Sequence, residues 1–129
     1  MALSLYIATT PNVGLGAVTI QMESTHFYDN VPFGPPGTVL NRNYPIPTGQ
    51  SFDLQAMLII GNLRVGFRLT NIGEDDILTL AWLPNNAFIA NVLHQGGGVG
   101  CAVTCLDTGQ SSPNCITCTR GNISVRVCC

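Results

Sequence analysis

The chain contains no lysine; its fixed cations are Arg42, Arg64, Arg68, Arg120 and Arg126, and its formal net charge is −2. With no basic cluster to neutralise phosphates, nucleic acid is excluded as an expected partner. Charge of both signs is scarce, at 9% of residues against about a quarter in ordinary globular domains. A monomer normally stays soluble by interspersing charges over its surface. Here Thr, Ser, Asn, Gln and Gly must do most of that work, a composition suited to a surface that packs against other protein. Long apolar runs are missing too: the longest patch is Ala56–Ile60, far short of a membrane span. The N-terminal MALSLYIATT has neither the basic region nor the apolar stretch of a secretory leader. The expected location is therefore extracellular, or a cell or spore surface, reached without a cleaved N-terminal signal peptide. Cysteine is absent from Met1–Gly100 and then appears six times.

What is present reads as one all-β domain over residues 1–129. This length suits a single domain and lets the chain bury roughly two thirds of its unfolded surface. Ala17–Glu23, Leu63–Thr70 and Asn122–Cys128 alternate apolar and polar residues with a period of two, the pattern of half-buried strands. Ser51–Ile60, Ile77–Trp82, Ala87–Leu93 and Val99–Cys105 are more continuously apolar and fit inner strands. Breakers separate these segments: Gly61-Asn62, Asn71-Ile72-Gly73, Pro84-Asn85-Asn86, Gly96-Gly97-Gly98 and Arg120-Gly121-Asn122. Short strands with such turns at near-regular spacing predict an antiparallel β-sandwich of jelly-roll type. Arg64–Trp82 reads as two antiparallel strands around an acidic turn.

Two regions fall outside that rhythm. Residues 24–50 hold Pro32, Pro35, Pro36, Pro45 and Pro47. They predict a long irregular loop of the kind usually given to function or an interface, with Thr38–Tyr44 as a short edge strand inside it. Residues 1–11 predict a strand-like arm, paired in its own sheet or added to a neighbour's sheet edge.

The candidate chemistry lies in the Cys-rich region 101–129: Cys101, Cys105, Cys115, Cys118, Cys128 and Cys129. Cys101-x3-Cys105 followed by Cys115-x2-Cys118 has some of the spacing of a zinc site. That reading leaves Cys128 and Cys129 without a role. A disulfide set accounts for all six. Cys101 and Cys105 in one extended strand would stand about 13 Å apart, too far to bond each other. Cys105 and Cys115 flank the turn-rich Leu106–Asn114 and would face one another across a hairpin. Cys128 and Cys129, being adjacent, are expected to bond elsewhere than with each other, and a pair at a chain end is placed to reach another subunit. Six cysteines leave fifteen connectivities open. No metal or cofactor is expected.

The remaining candidates have plain alternatives. His26 and His94 read as loop or sheet-edge residues. Glu74-Asp75-Asp76 reads as a solvated turn without the alternating ligands of a calcium loop. Gly96–Gly100 lacks the Lys-Ser/Thr of a phosphate loop. Trp82 is expected in the core, while Tyr6, Tyr28 and Tyr44 are candidates for stacking on a sugar. Asn122-Ile123-Ser124 is a glycosylation sequon. No catalytic constellation emerges, so the chain is not expected to be an enzyme.

A small β-patterned chain with scarce charge, no Lys and the terminal pair Cys128-Cys129 resembles the subunits of bacterial endospore appendages. The resemblance implies a β-sandwich that stacks into fibres, stapled between subunits by cysteines. In that family the cysteine-bearing connector is N-terminal, whereas here the cysteines are C-terminal. The function expected is that of a self-assembling structural subunit of an extracellular fibre, appendage or shell, a homopolymer locked by disulfides. The alternative is a secreted binding module, lectin-like or toxin-like, with internal disulfides only.

Overall fold

A computed structural model describes residues 2–9, 18–35, 37–95 and 101–129. The period-two segments are strands: β1 Ala2–Thr9, β2 Val18–Glu23, β3 Tyr28–Gly34, β4 Val39–Pro45, β5 Ser51–Ile60, β6 Leu63–Gly73, β7 Ile77–Leu83, β8 Ala87–Leu93, β9 Ala102–Cys105, β10 Ser111–Ser112, β11 Cys115–Arg120 and β12 Ile123–Cys128. The described residues contain no α-helix, and so none long and apolar enough to cross a membrane. Burial alternates along β5, as the side chains of a strand do.

Two six-stranded sheets enclose the core. Sheet A has the order β11-β12-β8-β7-β1-β4 and sheet B the order β10-β9-β6-β5-β2-β3. Sheet B is antiparallel throughout. Sheet A is mixed, because β1 runs parallel to β7 and β12 parallel to β8; the uniformly antiparallel expectation is corrected there. The physical reason is the path of the chain. It repeatedly crosses from one sheet to the other, so spatial neighbours in sheet A are often distant in sequence and free to run in the same direction.

Turn chemistry sets the hairpins. Gly61 and Gly121 take φ values of 57° and 62° in the Gly-Asn turns of β5–β6 and β11–β12, a backbone that side-chain-bearing residues resist. In β6 the register slips by one residue between Phe52/Leu54 of β5 and Ile72/Leu69. Asn71, at φ 62°, absorbs the extra residue, and this bulge turns Ile72 into the core, where it is fully buried.

The expected Arg64–Trp82 hairpin does not form. β6 lies in sheet B and β7 in sheet A, so the acidic turn between them carries the chain across the sandwich. The Pro-rich stretch 24–50 is likewise not one irregular loop: it supplies β3 and β4, with β4 the expected edge strand. Its described prolines sit where a missing N–H is tolerated, at an outer strand (Pro32), at a strand end (Pro45) and in connections between strands (Pro35 and Pro47). The N-terminal segment pairs within its own sheet, between β7 and β4.

Aromatic rings fill the centre. Trp82 stacks on Phe88 with ring centroids 5.5 Å apart and on Phe33 at 6.2 Å. A second group, Phe27 stacked on Tyr44 at 4.2 Å with Phe52 edge-on at 5.9 Å, closes the end near the β2–β3 turn.

Candidate functional site

The six cysteines bond each other within the chain, and none of those described is free. Cys105 of β9 pairs with Cys118 of β11, and Cys101, just before β9, pairs with Cys129, just after β12. Both bonds therefore tie sheet B to sheet A, with Cα separations of 5.5 and 5.8 Å. Cys115 and Cys128 are directly opposed across the β11–β12 hairpin and bond within sheet A, Cα atoms 4.2 Å apart. This corrects two expectations. Cys105 bonds Cys118 rather than Cys115, because β9 and β11 belong to facing sheets and do not form a hairpin. Cys128 and Cys129 are consumed internally, since β12 is held between β8 and β11 instead of trailing as a free end. Among the described residues no group of three His, Cys, Asp or Glu side chains is placed to hold a metal. Three disulfides fit an oxidising, extracellular environment.

Charge is distributed as unevenly as cysteine. The six strands of sheet A contain no carboxylate; their charges are Arg42, Arg120 and Arg126. Two of these are neutralised across the sandwich. Arg42 donates to Asp29 of β3 at 3.3 Å and Arg120 to Asp107, in the β9–β10 turn, at 3.3 Å. Alternation along the strands aims Arg126 outward. Among the described residues it is the one charged side chain on the outer face of sheet A, which otherwise presents Tyr6 with Thr, Asn, Ser, Ala and aliphatic residues. Sheet B turns Glu23, Asp53, Arg64 and Arg68 to solvent.

The sheet edges differ in the same sense. In sheet B, edge strand β3 carries Pro32 in its interior and edge strand β10 is two residues long. Both are devices that blunt an edge against further pairing. In sheet A, β4 has seven residues with its proline last, and β11 has six with none. Both present a strand-length backbone with no proline in its interior, and each carries one arginine, Arg42 or Arg120.

A cleft of about 520 Å³ opens on the outer face of sheet A over β4, β1, β7 and the end of β8. Tyr6, 38% exposed, stands beside Asn41 and Thr79 in one cross-strand row; Ser4, Asn43, Ile77 and Leu93 form the next. Ser4 Oγ donates to Asn43 Oδ1 at 2.7 Å.

A buried polar corner lies where β6, β7, β8 and β1 meet. Asp76, 3% exposed, accepts the Gly73 amide on Oδ2 at 2.8 Å and Nδ1–H of His94 on the same oxygen at 2.9 Å, while its carbonyl accepts the Ser4 amide. The acidic turn is therefore not simply solvated. Its last member is a structural tie, and His94 is the partner that the spacing of 18 residues hid. The other sequence candidates scatter. His26 lies in the β2–β3 turn, edge-on to Phe52 at 5.7 Å; Tyr28 is exposed on sheet B; Tyr44 is buried; and Asn122 is exposed in the β11–β12 turn. Gly96–Gly100 lies outside the described residues.

Tyr44 and Asp29 clamp the two sheets at the β3–β4 end. The phenol donates to Asp29 Oδ2 at 2.7 Å. Burial, then that hydrogen bond and the negative charge it serves, raise the phenol far above the ordinary tyrosine range, against a smaller opposing pull from Arg42.

No protein-family model, curated protein or solved structure matches the chain.

Proposed function

We propose that the protein is a self-assembling structural subunit, polymerising with copies of itself into an extracellular fibre, appendage or shell. The observation that carries the reading is the contrast between edges: sheet B ends in the proline-interrupted β3 and the two-residue β10, while sheet A ends in the longer β4 and β11, neither with an interior proline. Three antiparallel and two parallel steps separate β11 from β4, so these strands run in opposite directions. A copy displaced along the sheet in the same orientation sets its β11 antiparallel to β4 of its neighbour, the ordinary geometry of strand addition. Such a contact is heterologous and does not close, so it generates a filament. The scarce charge of sheet A fits a surface that meets its own kind. In this reading the disulfides stiffen each subunit, and contacts between subunits are main-chain hydrogen bonds and apolar packing. We also read the sandwich as a variant of the jelly roll, with repeated crossing between sheets and two parallel pairs in sheet A.

Following register from strand to strand, Val39 lies in line with Ala8, Ala81, Ile89, Arg126 and Thr117. Straight addition of a second copy brings Thr117 beside Val39. Val39→Lys combined with Thr117→Lys opposes like charges across the new strand pair and should abolish polymers seen by electron microscopy, whereas Val39→Lys with Thr117→Glu should restore them. Equal polymerisation of both double variants would reject the edge contact.

A second reading is a secreted binding module with internal disulfides only. The specific observation in its favour is that all six cysteines pair within the chain. A wild-type protein that stays monomeric at every concentration tested would favour it.

A further inference from the structure

We infer that the cleft over β4, β1 and β7 is a binding site for a neutral saccharide. Its volume, about 520 Å³, lies within the range of small-molecule sites, roughly 300–1,000 Å³. No charged side chain lines it, so it offers no countercharge to a phosphate, a carboxylate or a cation. It offers a partly exposed aromatic ring, Tyr6, with aliphatic groups from Ile77 and Leu93 beside it. Uncharged hydrogen-bonding groups surround these. Ser4 occupies the carbonyl oxygen of Asn43 and leaves its NH2 as a donor. Asn41 keeps a whole amide, and Tyr6 and Thr79 keep hydroxyls that both donate and accept. A sugar ring has the matching chemistry: one face of C–H groups to lie on an aromatic ring, and a rim of neutral hydroxyls that pair with amides. The side chains concerned project from the face of sheet A, while strand addition would use the backbone along its edges. The inference therefore stands apart from the assembly reading.

The test is calorimetric titration of the intact, oxidised protein with cello-, manno-, xylo- and chitohexaose, with a hexamer of galacturonate as the charged comparison. We expect at least one neutral hexasaccharide to bind and the galacturonate not to bind. Tyr6→Ala should weaken that binding by about tenfold, a difference of roughly 1.4 kcal/mol, and Asn41→Ala should weaken it severalfold. Tyr28→Ala, a tyrosine exposed on the opposite sheet, should leave it unchanged. Absence of binding by all four neutral probes overturns the inference, as does binding that Tyr6→Ala and Asn41→Ala leave intact. A concentration-dependent dimer that Tyr6→Ala alone disperses would overturn it too, by giving the cleft to a second copy.

Discussion

Cys105 and Cys118 join the two sheets through the interior: both are nearly inaccessible, at 3% and 4%, and they come from β9 of sheet B and β11 of sheet A. The bond closes a segment 13 residues apart in sequence, for which unfolded-chain entropy gives about 3 kcal/mol. Replacing both by Ser should lower stability by about that amount and shift the urea midpoint down, with the strand-dominated circular dichroism kept. An unchanged midpoint would show that the sheets hold together without the bond.

Because every cysteine pairs internally, the unreduced protein should run on a denaturing gel as one band at the 13.7 kDa of the chain. Reductant should slow that band slightly by releasing the compact loops, without dissolving a ladder. A ladder that collapses on reduction would place Cys128 and Cys129 between subunits after all.

Asp76 carries two hydrogen bonds on one buried carboxylate oxygen. Asp76→Ala strands the Gly73 amide and His94 together and should cost about 2–3 kcal/mol, since a buried group left unpaired costs about 1–3 kcal/mol. Asp76→Asn should cost less, because its amide oxygen still accepts the Gly73 N–H. Equal losses from the two variants, read by chemical denaturation, would mean that the carboxylate's hydrogen bonds are not what stabilises the corner.

Tyr44 gives a pH signature. Its pKa is raised on folding, so the stability it contributes is complete below the unfolded tyrosine pKa, about 10, and drains away as pH climbs above that value toward the folded one. Ultraviolet titration should find one of the three phenols withheld from ionisation until the protein unfolds in alkali. Tyr44→Phe should remove that step. A titration in which all three ionise together while the fold persists would contradict the Asp29 clamp.

The strands were legible because periodicity and Gly-Asn turns are local signals. Ala17–Glu23, Leu63–Thr70 and Asn122–Cys128 match β2, β6 and β12 to within a few residues. Pairing was not legible to the same degree. The hairpin expected of Arg64–Trp82 failed because β7 pairs with β1 and β8 in sheet A while β6 pairs with β5 and β9 in sheet B, and the pairing with the distant β1 leaves no local signal. Cys105 faces Cys118 only once β9 and β11 have been assigned to different sheets, which spacing alone does not reveal. The Pro-rich stretch misled for a related reason: prolines exclude a central strand, yet Pro32 and Pro45 are compatible with β3 and β4 at the margins. The cleft could not be foreseen, since Tyr6, Asn41 and Thr79 meet only through the register of β4, β1 and β7.

Assembly is the central claim, and electron microscopy of the purified, oxidised wild type beside the Val39→Lys, Thr117→Lys variant tests it most directly. Filaments of wild-type protein, absent from the double variant and restored when Thr117→Lys is exchanged for Thr117→Glu, are the predicted result. Uniform single particles of monomer size in the wild type, at the highest concentration the protein tolerates, would contradict it.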